Sequence, residues 1–298
     1  MDVELTRAPA TRALYRRAVR GSIRRRDEDT DPRLPDTRLV LRGVEADLER
    51  LAAYDRVCGF RLADALPVTY PHVLAFPLAM QLMSAPEFPF PVIGLIHIGN
   101  RITQARPFQI GERLDFAVST EALRPHDRGR QFDMVVTATV DGAEVWHGVS
   151  TYLRRDTPTA AGPRNDAGRP RNVAAADDAA RPIADASPTA LWRVGADTGR
   201  AYAAVSGDRN PIHLSRIGAR AFGFGRPIAH GMWTMAHAVA ALEGKLGETY
   251  TVDVAFKRPI ALPSTVAWRA RRDSEGWTIT VLDPASGEPN LTGSVAPA

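Results

Sequence analysis

The chain of 298 residues has a single cysteine, Cys58. One thiol excludes an internal disulfide, fits a reducing compartment, and reads as a small buried apolar side chain rather than a nucleophile. No apolar run reaches the roughly 18–20 residues of a membrane-spanning helix. The N-terminus lacks the basic patch, apolar run and small-residue cleavage site of a secretory signal. A cytoplasmic location is therefore the expectation. His-Glu-x-x-His and Cys-x-x-Cys are absent, so no metal site is expected. There is no Gly-x-Ser-x-Gly elbow of the serine hydrolases. Neither Gly-x-x-x-x-Gly-Lys nor Gly-x-Gly-x-x-Gly occurs, so no nucleotide fingerprint is present.

The composition that remains, 44% hydrophobic and 24% charged, is that of a chain able to bury a core and stay soluble. Its length suits one large or two ordinary domains. The net charge is +4, and much of the basic excess sits early, in Arg16, Arg17, Arg20, Arg24, Arg25 and Arg26. No helix-turn-helix, zinc-finger or RNP pattern accompanies it, so nucleic acid is not the expected partner. Two readings stand for this stretch: a solvated basic helix, or a landing surface for an acidic acyl carrier protein or coenzyme A phosphates.

Residues 1–36 read as a basic leader, with a helix over Ala10 to Arg25. Residues 37–154 read as a first unit. It has a helix at Val44–Tyr54 and an apolar helix at Pro71–Met83 that Pro77 should bend. Strands follow at Val92–Ile102, Arg113–Leu123, Gln131–Val140 and Glu144–Tyr152. From 155 to 188 the composition shifts to Ala, Pro, Gly, Asp and Arg, as in a linker. Residues 189–298 repeat the first plan. A strand at Leu191–Val194 leads to helices at Asp197–Ser206 and after Ser215, then to an Ala-rich helix from Gly231 to Glu243. Strands follow at Thr249–Lys257, Ser264–Arg272, Trp277–Leu282 and Leu291–Val295. Arg106-Pro107-Phe108 through Phe116 aligns without gaps on Arg258-Pro259-Ile260 through Trp268, which points to duplication. The 231–243 helix is apolar almost all round (Met232, Trp233, Met235, Ala236, Val239, Leu242), so a sheet must wrap it. The expected class is α+β: two antiparallel sheets, each wrapped around a long apolar helix, the hot-dog arrangement.

The most informative stretch is Tyr202-Ala203-Ala204-Val205-Ser206-Gly207-Asp208-Arg209-Asn210-Pro211-Ile212-His213. Gly207 suits the left-handed end of a short helix, and Pro211 disfavours helical geometry at Asn210. Asp208 and His213 should therefore project from a rigid bend toward one water, as acid/base chemistry on water requires. This stretch resembles the hydratase motif of the MaoC-like family, the (R)-specific enoyl-thioester hydratases and 3-hydroxyacyl-thioester dehydratases. A second family element follows, Arg226-Pro227-Ile228-Ala229-His230-Gly231-Met232. The resemblance covers about residues 37–298 and is strongest from 202 to 235. It implies a double hot-dog whose second half, 189–298, is catalytic. The first half lacks the Asp-x-Asn-Pro-x-His sequence. Its expected counterpart near Tyr54-Asp55-Arg56-Val57 carries no matching histidine, so this half is read as degenerate and pocket-shaping.

On this reading Asp208 and His213 hold the water that adds to C3 of a 2-enoyl thioester. In the family a single such water also supplies the C2 proton, which implies syn addition and an (R)-3-hydroxyacyl product. The Gly231 N–H, at the start of the apolar helix, is placed to stabilise the enolate oxygen. Asn210 is expected to set the turn, His230 to fix the start of the helix, and Tyr202 to pack under the loop. Family members with serines in this helix differ from the present Ala236-His237-Ala238-Val239. No cofactor is expected, because hydration moves only protons and water. The expected partner is an acyl thioester of coenzyme A or of acyl carrier protein, and a homodimer of whole chains is left open. Two other functions fit the scaffold: a hot-dog acyl-thioesterase, against which Asn-Pro-x-His argues, and a non-catalytic acyl-thioester-binding subunit, against which the intact Asp208 and His213 argue.

Overall fold

A computed structural model describes residues 1–24, 32–155 and 187–298. Most of the expected linker, 155–188, and Arg25 and Arg26 lie outside the described residues. The chain opens with β1 (Asp2–Leu5), α1 (Thr11–Arg24), β2 (Arg38–Val44), α2 (Leu48–Cys58) and α3 (Tyr70–Met83). Four long strands complete the first half: β3 (Ile96–Gln104), β4 (Leu114–His126), β5 (Gly129–Val140) and β6 (Ala143–Arg155). The second half runs β7 (Ala190–Val194), α4 (Thr198–Ser206), α5 (Pro211–Leu214), α6 (Arg216–Ala221), α7 (Gly231–Ala240), β8 (Tyr250–Phe256), β9 (Ser264–Arg272), β10 (Trp277–Leu282) and β11 (Pro289–Pro297).

The expectation of two separate sheets is corrected. The strands form one 11-stranded sheet in the order β1-β2-β4-β5-β6-β3-β8-β11-β10-β9-β7. The two halves fuse where β3 pairs antiparallel with β8, from Gly99 opposite Ala255 to Gln104 opposite Tyr250. That pairing satisfies two strand edges that would otherwise stand open. Arg101 pairs with Asp253 at 2.8 Å across it, and the Thr103 and Thr251 hydroxyls meet at 2.9 Å.

The two halves repeat one strand order. The first half reads β2-β4-β5-β6-β3 outward to inward, and the second reads β7-β9-β10-β11-β8, the same permutation. The gapless alignment of the two Arg-Pro segments falls on matching corners, between β3 and β4 and between β8 and β9. The isolated bridges Ala65–Gln109 and Ile228–Ala261 sit at aligned positions, Gln109 and Ala261.

The expected leader is built into the first half. β1 pairs with β2 in parallel, from Asp2 opposite Arg38 to Leu5 opposite Leu41. Both strands escape a sequence reading because each is short and carries charge at its exposed positions. α3 is buried on nearly every side despite Pro77, as its apolar sequence predicts. α7 is shorter than expected, ten residues rather than thirteen. Beyond Ala240 the amides of Leu242 and Glu243 bond three residues back, tightening the chain out of the α-helix.

The match of α2 to α4 gives the register of the first half against the motif, with Tyr54 on Tyr202. α2 ends at Gly59 and α4 at Gly207, with φ +85° and +82°. Tyr54 and Tyr202 each stand five residues before that glycine, and their rings lie 6.2 Å apart. In this register the Tyr54–Val57 stretch matches Tyr202–Val205, and Phe60 occupies the place of Asp208. The Tyr54 hydroxyl donates to Thr69 at 2.8 Å, as Tyr202 packs on His230 at 4.9 Å. Thr69 therefore corresponds to His230, and Tyr70, the first residue of α3, to Gly231.

Candidate active site

Gly207 turns the chain out of α4, and the next residues fold back on themselves. The Asp208 N–H donates to the Ser206 hydroxyl at 3.1 Å, and the Asn210 N–H donates to Asp208 Oδ1 at 3.1 Å. Asn210 then caps α5, its side-chain oxygen accepting from the Ile212 N–H. Pro211 is the first residue of α5, where a missing N–H costs nothing. α5 brings His213 back beside Asp208.

His213 is buried, and its Nδ1 lies 2.8 Å from the Ile228 carbonyl. A carbonyl only accepts, so Nδ1 carries the proton and Nε2 carries the lone pair. His230 stacks on this ring at 3.6 Å and directs Nε2 to the Asp208 carbonyl at 3.1 Å. The same Nε2 is 3.8 Å from Asp208 Oδ2. One side-chain atom from each of Asp208, His213 and His230 lies within 4.8 Å of the others. A water hydrogen-bonded at about 2.8 Å to two acceptors spans such a gap. The Asp208 side chain keeps 28% of its surface accessible against 3% for His230, so the carboxylate is the open member of the cluster.

Burial pushes His213 below its ordinary value, and it pushes His230 to about 3 with help from His213. Burial by itself would raise the Asp208 carboxyl. The adjoining imidazoles, the Tyr15 hydroxyl and the Asn210 N–H outweigh it and hold the group below the usual carboxylate range. Near neutral pH the site therefore holds one carboxylate and two neutral imidazoles. A water there finds two acceptors, Asp208 and His213 Nε2.

Gly231 begins α7 directly after His230. The His230 position offers no side-chain cap, so the first amides of α7 lack a capping partner. Gly231 is partly exposed where the rest of the helix is mostly buried. A Cβ at this position would meet the Phe256 ring at 3.1 Å. Tyr202 is buried, its ring between those of Tyr54, 6.2 Å away, and His230, 4.9 Å away.

Four neighbours escaped the sequence reading: Tyr15 on α1, His72 on α3, His97 on β3 and Tyr152 on β6. All four feel the charge of Asp208. His97 stacks on Tyr152 at 4.7 Å and lies 5.0 Å from Phe256, the ring against Gly231. Burial keeps His72 and His97 neutral, at about 4 and about 3. No local motif surrounds these residues. The available signal was the helical spacing of Thr11, Tyr15 and Ala18, and the histidines inside otherwise apolar runs.

Comparison with known proteins gives the family. The sequence model of the MaoC like domain matches residues 178–278. The chain is 35% identical over 262 residues to 3-hydroxyacyl-thioester dehydratase X of Mycobacterium tuberculosis, covering 88% of this chain and 90% of that one. The crystal structure of HtdX from that organism superposes with a TM-score of 0.75 at 33% identity, over 88% of this chain and 100% of the other. A MaoC-like dehydratase from Phytophthora capsici shares the fold, with a TM-score of 0.66 at 17% identity over 89% and 96% of the two chains. With a third of its residues shared along nearly the whole of a 3-hydroxyacyl-thioester dehydratase, this chain belongs to the MaoC-like dehydratase family.

Proposed function

We propose that this protein is a hydro-lyase that interconverts 2-enoyl and (R)-3-hydroxyacyl thioesters, with Asp208, His213 and Gly231 as its catalytic residues. The carrying observation is the carboxylate, with a neutral imidazole beside it, at a spacing one water can bridge, in a chain 35% identical to a protein named for 3-hydroxyacyl-thioester dehydration. In hydration the water donates its hydrogens to Asp208 and to His213 Nε2. One O–H bond breaks as oxygen bonds to C3, and the C2=C3 electron pair moves toward the thioester carbonyl. The enolate oxygen so formed accepts from the Gly231 N–H, where the helix dipole favours negative charge. The abstracted proton then passes to C2 on the same face, which gives syn addition. Dehydration is the reverse.

The second half is the catalytic unit in this reading and the first half shapes the acyl pocket. Phe60, Thr69 and Tyr70, standing in the places of Asp208, His230 and Gly231, support that division, since none supplies the acid/base chemistry. The substrate is an acyl thioester of coenzyme A or acyl carrier protein, used in fatty-acid metabolism in the cytoplasm. No described helix is long and apolar enough to cross a membrane.

The test is loss of enoyl absorbance with crotonyl-CoA and a longer 2-enoyl-CoA, with chiral analysis of the product. Asp208→Asn and His213→Ala should each lose about 10²–10⁴-fold. Unchanged rates in both variants would reject the site, and free thiol release in place of hydration would make the protein a thioesterase.

A further inference from the structure

Two donors converge on Asp208 Oδ1. One is the local Asn210 N–H, at 3.1 Å. The other is the Tyr15 hydroxyl, at 2.5 Å, delivered by α1 from 193 residues earlier in the chain. A phenol hydroxyl 2.5 Å from a carboxylate oxygen, which only accepts, has one orientation for its proton, toward Oδ1.

The helix is built for this contact. Leu14 and Ala18, one turn apart, are buried at 7% and 4% exposure and anchor α1 to the core. Thr11, four residues before Tyr15, lies over the turn itself, where a Cβ on Gly207 would touch its Cγ2 at 3.5 Å. At i, i+4 spacing Thr11 and Tyr15 share one helix face. That face lies along Gly207 and Asp208.

Both donors take Oδ1, which leaves Oδ2 as the oxygen presented to the site. His230 Nε2 is 3.8 Å from Oδ2 and commits its proton to the Asp208 carbonyl instead. Among the described residues no hydrogen bond is donated to Oδ2. We propose that Tyr15 is a positioning residue, whose hydroxyl clamps Asp208 Oδ1 so that Oδ2 alone faces the reacting water. The proposal rests on the hydratase and dehydratase reading of the site. It makes the N-terminal helix part of the active centre rather than a basic appendage.

A hydrogen bond to a carboxylate also favours its charged form. The other titratable groups facing Asp208 are His213 on α5, His230 before α7, His72 on α3, His97 on β3, Tyr152 on β6 and Tyr202 on α4. Removing the Tyr15 hydroxyl alone leaves all of these in place. A change in the titration of Asp208 would then belong to Tyr15.

The experiment compares the full-length protein with Tyr15→Phe and with 3-fluorotyrosine at position 15. The Asp208 carboxyl is followed by ¹³C NMR, its signal identified by loss in Asp208→Asn. Hydration of crotonyl-CoA is followed across pH. Tyr15→Phe should raise the Asp208 midpoint by about one pH unit, carry the acid limb of kcat/KM upward with it, and lower kcat by about 10–10²-fold with little change in KM. Fluorotyrosine keeps the ring and hydroxyl but is a stronger donor, so the midpoint should move down. It also covers the case in which Tyr15→Phe disturbs the fold. An Asp208 midpoint identical in all three proteins would overturn the proposal, as would kcat unchanged by Tyr15→Phe. If the unsubstituted protein hydrates no enoyl thioester, the reaction reading fails separately, and the carboxyl titration still decides whether Tyr15 holds Asp208.

Discussion

His230 donates through Nε2 to the Asp208 backbone carbonyl at 3.1 Å, with its ring stacked 3.6 Å from that of His213. One imidazole thus ties the loop that carries the carboxylate to the histidine that completes the pair. His230 is 2% exposed, and among the described residues its Nδ1 has no hydrogen-bond partner. An unpaired buried nitrogen costs on the order of 1–3 kcal/mol. Its retention is consistent with a role for the ring in holding the loop. His230→Ala removes both the tether and the stacking partner, so kcat should fall by about 10²-fold while KM for a short enoyl-CoA changes little. Steady-state kinetics separate the two. A pure rise in KM would mean that His230 contacts substrate instead.

Stacked imidazoles and a carboxylate below its usual pKa set the pH response of activity. Hydration needs Asp208 ionised and His213 neutral. Both groups are displaced downward, so activity rises as pH climbs through their lowered values, on the acid side of the ordinary histidine value of 6.5. The acid limb of kcat/KM should lie below pH 6.5. A limb centred above 6.5 would show that burial does not control His213.

The same histidines link pH to stability. Burial holds His72, His97 and His230 at about 4, 3 and 3 in the folded protein, against the ordinary histidine value of 6.5. Between those values the unfolded chain binds protons that the folded chain does not. Stability is then full above pH 6.5 and falls as pH drops toward 4 and 3. In urea titrations at fixed pH, His72→Leu should flatten the dependence between pH 4 and 6.5 by up to about 1.4 kcal/mol per pH unit. An unchanged slope would mean that His72 is hydrated and charged in the folded state.

Gly231 tests the amide assignment. An alanine there brings Cβ to 3.1 Å from the Phe256 ring, so the ring or the start of α7 must give by a few tenths of an ångström. kcat/KM for Gly231→Ala should fall by about 10²-fold, since small displacements of reacting groups cost that much. Phe256→Leu combined with it should recover part of the loss by yielding the space. If the pair behaves additively, the defect lies in α7 itself and not in the crowding.

Much of this was legible in the sequence because the signals are local. Gly207, Asn210-Pro211 and Ser215 are turn and cap residues, and they set the loop that places Asp208 and His213. Strands β9 and β10 keep the bounds read from the sequence, although β9 buries Val266, Ala267 and Trp268 in succession rather than alternating. What was not legible depends on contacts distant in sequence. β3 reads as an ordinary strand, and nothing in it announces β8 as its partner across 150 residues. Tyr15 lies in an arginine-rich helix that by composition is a solvated surface. Only the docking of Leu14 and Ala18 turns it inward. Phe60 could be matched to Asp208 only once Gly59 and Gly207 were seen to end equivalent helices.

The position of His213 also depends on a residue that carries no chemistry. Gly199 lies in the first turn of α4, and a Cβ there would sit 2.2 Å from the His213 carbonyl oxygen and 3.3 Å from Leu262 Cδ1. The oxygen is backbone and cannot rotate aside, so Gly199→Ala must push α4 and α5 apart. Overpacking of this kind costs about 1–3 kcal/mol, which for a chain of this size lowers Tm by a few degrees, roughly 2–4 °C per kcal/mol. The displacement falls on the segment that aims His213 at Asp208, so activity should drop well beyond the loss expected from the unfolded fraction at assay temperature. Gly225 is the matched control, with nothing within 4 Å of its added Cβ. Gly225→Ala should leave both Tm and kcat as they are. Calorimetry and crotonyl-CoA hydration on the two variants check this. Equal behaviour of the two would mean that α4 and α5 yield without moving the histidine.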